Sequence, residues 1–222
     1  MPRPPRISRE AVLDEALRTL DDEGVEGLSM RRLAQRLGVT SPSLYKYVRD
    51  REGVFEAVVD AIVQEINEDW QPVGGWRAEL DGMARRYFHT FRRHPHAVPL
   101  VMHRPTRNPR SLDSFDTVLG VLLAEGWPAA DATRAVLLIE SYALGATLTA
   151  VSPGIPPTPE DLAARPSLAA ALTEGGHRSF RLTEDDFLLG LKTVLDGIAR
   201  DLAPSTLSAG TPAAPSAATP AS

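Results

Sequence analysis

The chain has 222 residues, 43% of them apolar, with 29 acidic side chains against 24 basic ones and a formal net charge of -5. That length and apolar content allow a full core without covalent staples and suit one small domain followed by a larger one. The absence of cysteine excludes disulfides, thiolate metal sites and cysteine nucleophiles, and fits a cytoplasmic setting.

The first residues, MPRPPRISRE, lack the apolar centre of a signal peptide, and 1–6 read as a flexible basic arm. Ser8 can cap a helix whose apolar positions Val12, Leu13, Ala16, Leu17 and Leu20 follow helical period, with Ile7 and Val12 spaced as a hydrophobic staple. Gly24 ends it. Ser29 is the next cap, opening a short helix with Leu33, Ala34 and Leu37 inward and Arg31, Arg32, Gln35 and Arg36 outward, stopped by Gly38. Thr40 then caps a third helix with Pro42 in its first turn, where a missing N–H costs little. Leu44 and Val48 form its inward stripe. Ser41, Ser43, Tyr45, Lys46 and Tyr47 are left on or near the open face, and the helix start favours phosphate. A fourth helix runs from near Asp50 to about Asn67, with Val54, Phe55, Val58, Val59, Ile62 and Ile66 inward.

A net acidic chain cannot hold nucleic acid over its whole surface, so a DNA contact requires a local patch. Between Ser29 and Arg51 lie Arg31, Arg32, Arg36, Lys46, Arg49 and Arg51 against the single acid Asp50. Two short helices joined by a Gly-containing turn, the second presenting small hydrogen-bonding side chains, match a helix-turn-helix whose second helix enters the major groove.

The run LSMRRLAQRLGVTSPSLYKYVRDREGVFEAVV resembles the DNA-binding domain of the TetR (tetracycline repressor) family: Arg before Leu-Ala, then Leu-Gly-Val, then Leu-Tyr. The likeness extends over about residues 7–66. It implies base-facing or flanking positions at Ser41, Pro42, Ser43 and Lys46. Phosphate positions fall on Tyr45, Tyr47 and Arg51, and Ser29 and Arg31 open the positioning helix. Other readings stand beside these: Tyr45 packed against the first helix, Lys46 simply solvated, and Tyr47 in place of the family's commoner His.

After Trp70 the segment QPVGG breaks the chain, and a helix follows from about Trp76 to Arg93, ended by His94-Pro95. A loop with Pro105 and Pro109 leads to a helix from about Ser111 to Glu125, and Pro128 opens an apolar helix reaching Val151. Its stretch from Ala135 to Val151 holds Glu140, Ser141 and Gly145 and falls short of the roughly 18 to 20 apolar residues of a bilayer span, so it reads as a buried helix and no membrane partner is expected. Positions 152–167 are Pro-rich loop, with only a short helical piece after them. Thr183 and Asp186 make a capping-box start for a last helix with Phe187, Leu188, Leu191, Val194, Leu195, Ile198 and Leu202 inward. The tail, 204–222, lacks an apolar face and should be disordered.

The fold class is therefore all-α, an N-terminal three-helix helix-turn-helix domain (7–66) joined to a larger helical domain (67–203). The resemblance makes the larger domain a ligand-binding and dimerisation domain. It implies a repressor that binds a palindromic operator in double-stranded DNA as a homodimer and is released by an unidentified small-molecule effector. Candidate ligand contacts are Met83, Tyr87, Phe91, Met102, His103, Phe115 and Tyr142. Dimerisation is expected through the helices near Ala129 to Val151 and Thr183 to Leu202, with Leu191 and Leu195 as sensitive positions. A His cluster (His89, His94, His96, His103) lacks the spacing of a metal site, and partly buried histidines lining a pocket are the expected alternative; no cofactor is expected. No GxSxG elbow or phosphate-binding Gly loop supports an enzyme.

The C-terminal half weakly resembles the tetracycline repressor's own regulatory domain through HRPTRNPRSLDSFDTVLGVLLAEGW and SYALGATL. That family's magnesium ligands then fall on Leu100 and Thr149, neither of which suits the ion, so the implied effector is a mostly apolar or aromatic molecule other than magnesium-tetracycline. A second reading is a helical ligand-binding or metal-dependent protein whose N-terminal domain mediates protein contact.

Overall fold

Oxygen-bearing side chains set where five of the described helices begin. In the computed structural model, which describes residues 7–68, 70–103, 109–154, 156–174 and 181–204, Ser8 accepts a bond from the Ala11 N–H at the start of α1 (Arg9–Gly27). Ser29 accepts from Arg32 N–H ahead of α2 (Met30–Arg36), and Asp50 accepts from Gly53 N–H at 2.8 Å ahead of α4 (Arg51–Ile66). Each bond satisfies an amide that the first helical turn leaves without an internal acceptor. Thr40 differs from expectation: its hydroxyl meets Ser43 Oγ at 2.9 Å and caps no amide of α3 (Ser41–Leu44). α3 is a single turn, prolonged by Tyr47 N–H and Val48 N–H donating to Leu44 C=O.

The second half comprises α5 (Trp76–Arg93), α6 (Ala97–His103), α7 (Pro109–Ala124), α8 (Ala129–Val151), α9 (Pro159–Ala163), α10 (Pro166–Glu174) and α11 (Glu184–Asp201). No strand occurs among the described residues. The expected α5, α8 and α11 start and stop where Gly75, Pro128 and the Thr183–Asp186 capping box place them. Two elements were not expected. α6 follows His94-Pro95 directly, and α9 stands inside the stretch read as loop, begun by a capping box between Thr158 and Asp161. The arm 1–6 and almost all of the tail 204–222 lie outside the described residues.

Two cores form. The first joins α1, α2 and α3 onto α4 through Val12, Ala16, Leu20, Leu33, Leu44, Phe55, Val58 and Ile62, and it continues into the larger half through Phe91, Ala97, Val98, Leu100 and Leu144. α4 therefore packs on both halves. The second core gathers α5, α7, α8 and α11 around Leu80, Met83, Phe88, Leu122, Ile139, Phe187, Leu191 and Ile198. Alanines at 132, 135, 143 and 146 on α8 face inward, and these small side chains let α5 and α8 run close together.

Phe88 stacks on Phe187 with ring centroids 3.8 Å apart, and Tyr142 O–H donates to Phe187 C=O at 2.7 Å. Gly190 is required beneath that tyrosine, because a Cβ there would lie 2.2 Å from its hydroxyl oxygen. Gly24, with φ of 71°, turns the chain out of α1 as expected.

Candidate nucleic-acid interface and ligand domain

The outer side of α3 and the turn after it carries Pro42, Tyr45 and Lys46 exposed, with Ser41 half-buried beside them; Tyr45 is 56% exposed. More than half of Tyr45 is thus open to solvent. Tyr47 is half-buried against the first core, and Ser43 shares its hydroxyl with Thr40. Leu44 and Val48 anchor the segment from below. Arg31 projects from α2 into solvent with no ion pair among the described residues, and Ser29 is taken up by capping. The row available to a groove is therefore Ser41, Pro42, Tyr45 and Lys46, flanked by Arg31.

The remaining cations of the basic cluster are spent inside the head. Arg32 forks onto Glu23, with Nε and Nη2 donating at 2.9 and 2.6 Å. Arg36 reaches Glu15, Asp22 and Glu23 on α1, and these hydrogen bonds push its guanidinium toward still firmer protonation. Arg49 pairs with Asp50 at 3.3 Å. The guanidinium of Arg51, expected on phosphate, donates from Nε to Leu28 C=O at 2.7 Å and from Nη2 to Val25 C=O at 2.9 Å, and lies 4.8 Å from the Phe55 ring centroid. These carbonyls belong to the irregular stretch after Gly24, where Val25 C=O also accepts the Leu28 N–H at 3.2 Å. Arg51 is a fastener of the head before it is a phosphate ligand.

Two family models match the chain: "Bacterial regulatory proteins, tetR family" over residues 12–58, and "Tetracyclin repressor-like, C-terminal domain" over residues 70–202. The second alone spans more than half of the chain.

The protein belongs to the TetR family of transcriptional regulators.

Among curated relatives, the HTH-type transcriptional repressor DrrR1 of Streptomyces coeruleorubidus is 35% identical over 144 residues, 64% of this chain and 53% of that protein. The class C tetracycline repressor of Escherichia coli is 32% identical over 146 residues, 64% of this chain and 66% of that protein. The match thus spans between about half and two thirds of these relatives' lengths. A possible TetR family regulator from Streptomyces coelicolor A3(2) superposes with a TM-score of 0.68 at 26% identity, covering 86% of this chain and 98% of that one. Membership in a family of transcriptional regulators does not favour the reading of the N-terminal domain as a protein-contact module.

The residues expected to meet a ligand in this TetR-family chain stand, among the described residues, in different settings. Met83 is 3% exposed in the second core and Phe91 is 1% exposed in the first. Tyr87 bridges the two cores, and burial holds its phenol well above the ordinary tyrosine range. Phe115 and Tyr142 are half-buried beside the second core, whereas Met102 is 59% exposed; the His103 side chain lies outside the described residues. An open groove of about 820 Å³ instead runs between α5 and α11, lined by Val73, Arg77, Ala78, Asp81, Gly82, Arg85, Leu188, Lys192 and Leu195. Its cations are paired, Arg85 with Asp81 and both Arg77 and Lys192 with Asp196.

Three polar groups of the larger domain escaped the sequence reading. Glu79 is fully buried, its Oε1 accepting from Val73 and Gly74 N–H groups and its Oε2 unpaired. Arg86 lies 4.7 Å from the Trp70 ring centroid with a buried, unpartnered Nε, and burial lowers its guanidinium's pKa. Glu140 on α8 is half-buried, and burial raises its carboxyl. The spacing 79, 83, 86 is one helical face, so the inward stripe containing Met83 was the available signal.

His89 is exposed; His94 and His96 lie at the junction of the two halves, and no three potential ligands for a metal ion converge among the described residues. Leu100 is 4% exposed in the first core, and Thr149 on the outside of α8 bonds back to Gly145 C=O.

Proposed function

We propose that this TetR-family regulator is a cytoplasmic repressor that binds a palindromic operator as a homodimer and is released by a small-molecule effector. The observation that carries the reading is the outward row Ser41, Pro42, Tyr45 and Lys46 beside Arg31, held on a head whose inward residues are fully packed. A one-turn helix and the turn after it, with a serine hydroxyl, a tyrosine and a cation on the open side, suit base edges and phosphates together. The repressor names of DrrR1 and of the class C tetracycline repressor support the sign of regulation.

A two-fold dimer is supported by the outer sides of α8 and α11. Leu137, Leu138 and Leu148 are 54%, 49% and 46% exposed on α8, and Leu189 is 66% exposed on α11. On α8, Leu137 and Leu148 share one face with the small residues Ser141 and Gly145 between them, and Leu138 flanks it, a face more apolar than solvent requires. Leu191 and Leu195 are 1% and 2% exposed within the chain and so belong to the core, which corrects their assignment to the interface. Two heads related by such a dyad read half-sites about one turn apart. The effector is of mostly apolar or aromatic character, since Leu100 and Thr149 supply neither the imidazole nor the carboxylate of the magnesium-binding pattern. The domain limits of this reading are 7–66 and 67–203, and the first core crosses the limit between them at Phe91, Ala97, Val98, Leu100 and Leu144.

Selection of bound sequences from a randomised duplex pool tests the reading. Enrichment of an inverted repeat, with affinity falling steeply with salt, is the expected result, and recovery of no sequence preference by the full chain overturns it. An effector found by thermal-shift screening of aromatic compounds should release the selected duplex. A ligand that favours the non-binding arrangement by about 2.7 kcal/mol lowers DNA affinity about a hundredfold, and DNA weakens the ligand by the same factor.

A further inference from the structure

His94 caps the C-terminus of α5, and its ring is wedged between the two halves of the molecule. Nδ1 lies 2.8 Å from Oδ2 of Asp21 on α1, and Nε2 lies 3.1 Å from Oε2 of Glu65 on α4. Only 13% of the His94 side chain is exposed. The other groups around it are accounted for: Arg93 contacts Glu65 and lies 3.5 Å from Thr90 Oγ1, His96 Nδ1 lies 2.9 Å from Leu20 C=O, and Asp22 adds negative charge beside Asp21.

A neutral imidazole donates from one nitrogen and accepts at the other, whereas a carboxylate only accepts. Facing carboxylates on both sides, the neutral ring satisfies one and presents a lone pair to the other. Both contacts close when the cluster holds one more proton, either on the ring as imidazolium or on Asp21 with the ring donating to Glu65. Asp21 depends on this arrangement. Its Oδ1 is buried without a hydrogen-bond partner, and burial raises its carboxyl while the ring of His94 draws it down.

We propose that His94, Asp21 and Glu65 form a proton-dependent clasp that holds the DNA-binding head against the larger domain and opens one arm when the proton leaves. The geometry is specific to the junction: the ring belongs to the larger half, and both carboxylates belong to the head and its connecting helix. As pH rises and the cluster gives up that proton, the clasp loses one hydrogen bond to a charged group and gains an unfavourable contact between a lone pair and a carboxylate. The last turns of α1 and α4 then loosen together. Only the regulatory meaning of the clasp rests on the DNA-binding reading; the contact itself is tested without DNA.

Hydrogen exchange on the full-length chain reads it directly, after correction for the intrinsic pH dependence of exchange. In wild type, amide protection over 16–24 and 59–67 should fall about tenfold between about pH 5.5 and about pH 8.5. Glu65→Gln supplies an amide that can donate to the neutral ring, so protection should stay high at both pH values. His94→Gln should give low protection at both. Wild-type protection that is independent of pH, or an unaltered pH response in Glu65→Gln, overturns the proposal. Circular dichroism establishes that each variant folds, and Glu65→Gln decides the question even where His94→Gln does not fold.

Discussion

Replacing Arg51 separates a residue that binds phosphate from one that holds the head together. Its guanidinium donates to Leu28 C=O and Val25 C=O at 2.7 and 2.9 Å and lies over Phe55 at 4.8 Å. A hydrogen bond from a charged donor is worth about 1.5 to 3 kcal/mol when buried. The Leu28 bond is half-buried and the Val25 bond exposed, so together they contribute about 2 kcal/mol, and the ring contact adds about 0.5. Arg51→Ala should therefore destabilise the folded chain by about 2 to 3 kcal/mol, lowering Tm by roughly 4 to 10 °C for a chain of this size. Arg51→Lys should recover less than half of this, since an ammonium cannot fork between two carbonyls. Thermal denaturation followed by circular dichroism, without DNA, is the assay. A Tm within about 1 °C of wild type would refute the reasoning, and Arg51 would return to the phosphate-contact role implied by the family motif.

Further outcomes follow from the same surfaces. Arg31→Ala should weaken binding to all duplexes alike and reduce the salt slope by about one unit, while Lys46→Ala should alter the base preference recovered from a randomised pool. Leu138→Glu or Leu148→Glu should give a folded monomer in analytical ultracentrifugation, whereas Leu191→Glu, at a core position, should unfold the chain; a soluble dimer from Leu138→Glu would place the interface elsewhere. Glu140, with its folded pKa raised by burial, binds its proton more tightly in the native state, so it favours folding below the ordinary carboxylate range and its contribution is lost as pH rises through the raised value. Glu140→Gln should thus gain stability relative to wild type at neutral pH, with the gain vanishing in acid; urea denaturation at both pH values checks this.

The parts of the fold legible in the sequence are those specified within a few residues. Asp50, Thr183 with Asp186, Gly24 and the His94-Pro95 stop act on their own turn of chain, and the helices they bound lie where expected. Thr158 with Asp161 carried the same kind of signal, but the surrounding prolines hid the five-residue α9. α6 has no such local signal: Ala97, Val98 and Leu100 are helical in a seven-residue piece fixed by packing on α4 and α1. The candidate interface divides the same way. The outward direction of Pro42, Tyr45 and Lys46 follows from helical period, but the partners of Arg36 lie 13 to 21 residues away on α1, and only the packing angle of two helices brings them together. The inward stripe of α11 likewise reveals an apolar face without saying whether it meets its own chain or a second copy; the structure gives Leu191 and Leu195 to the first.

The acidic steps of α1, Glu15, Asp22 and Glu23, occupy Arg32 and Arg36 and leave the head a thin strip of free positive charge. On a chromosome this matters more than it does in a test tube. About a million or more competing sites draw on the same few copies of a regulator, and their pull grows with every phosphate it can neutralise. On the proposed reading, a head that keeps two of its arginines to itself leaves random DNA quickly, so that a small number of molecules can keep a single true site filled without being absorbed by the rest of the genome.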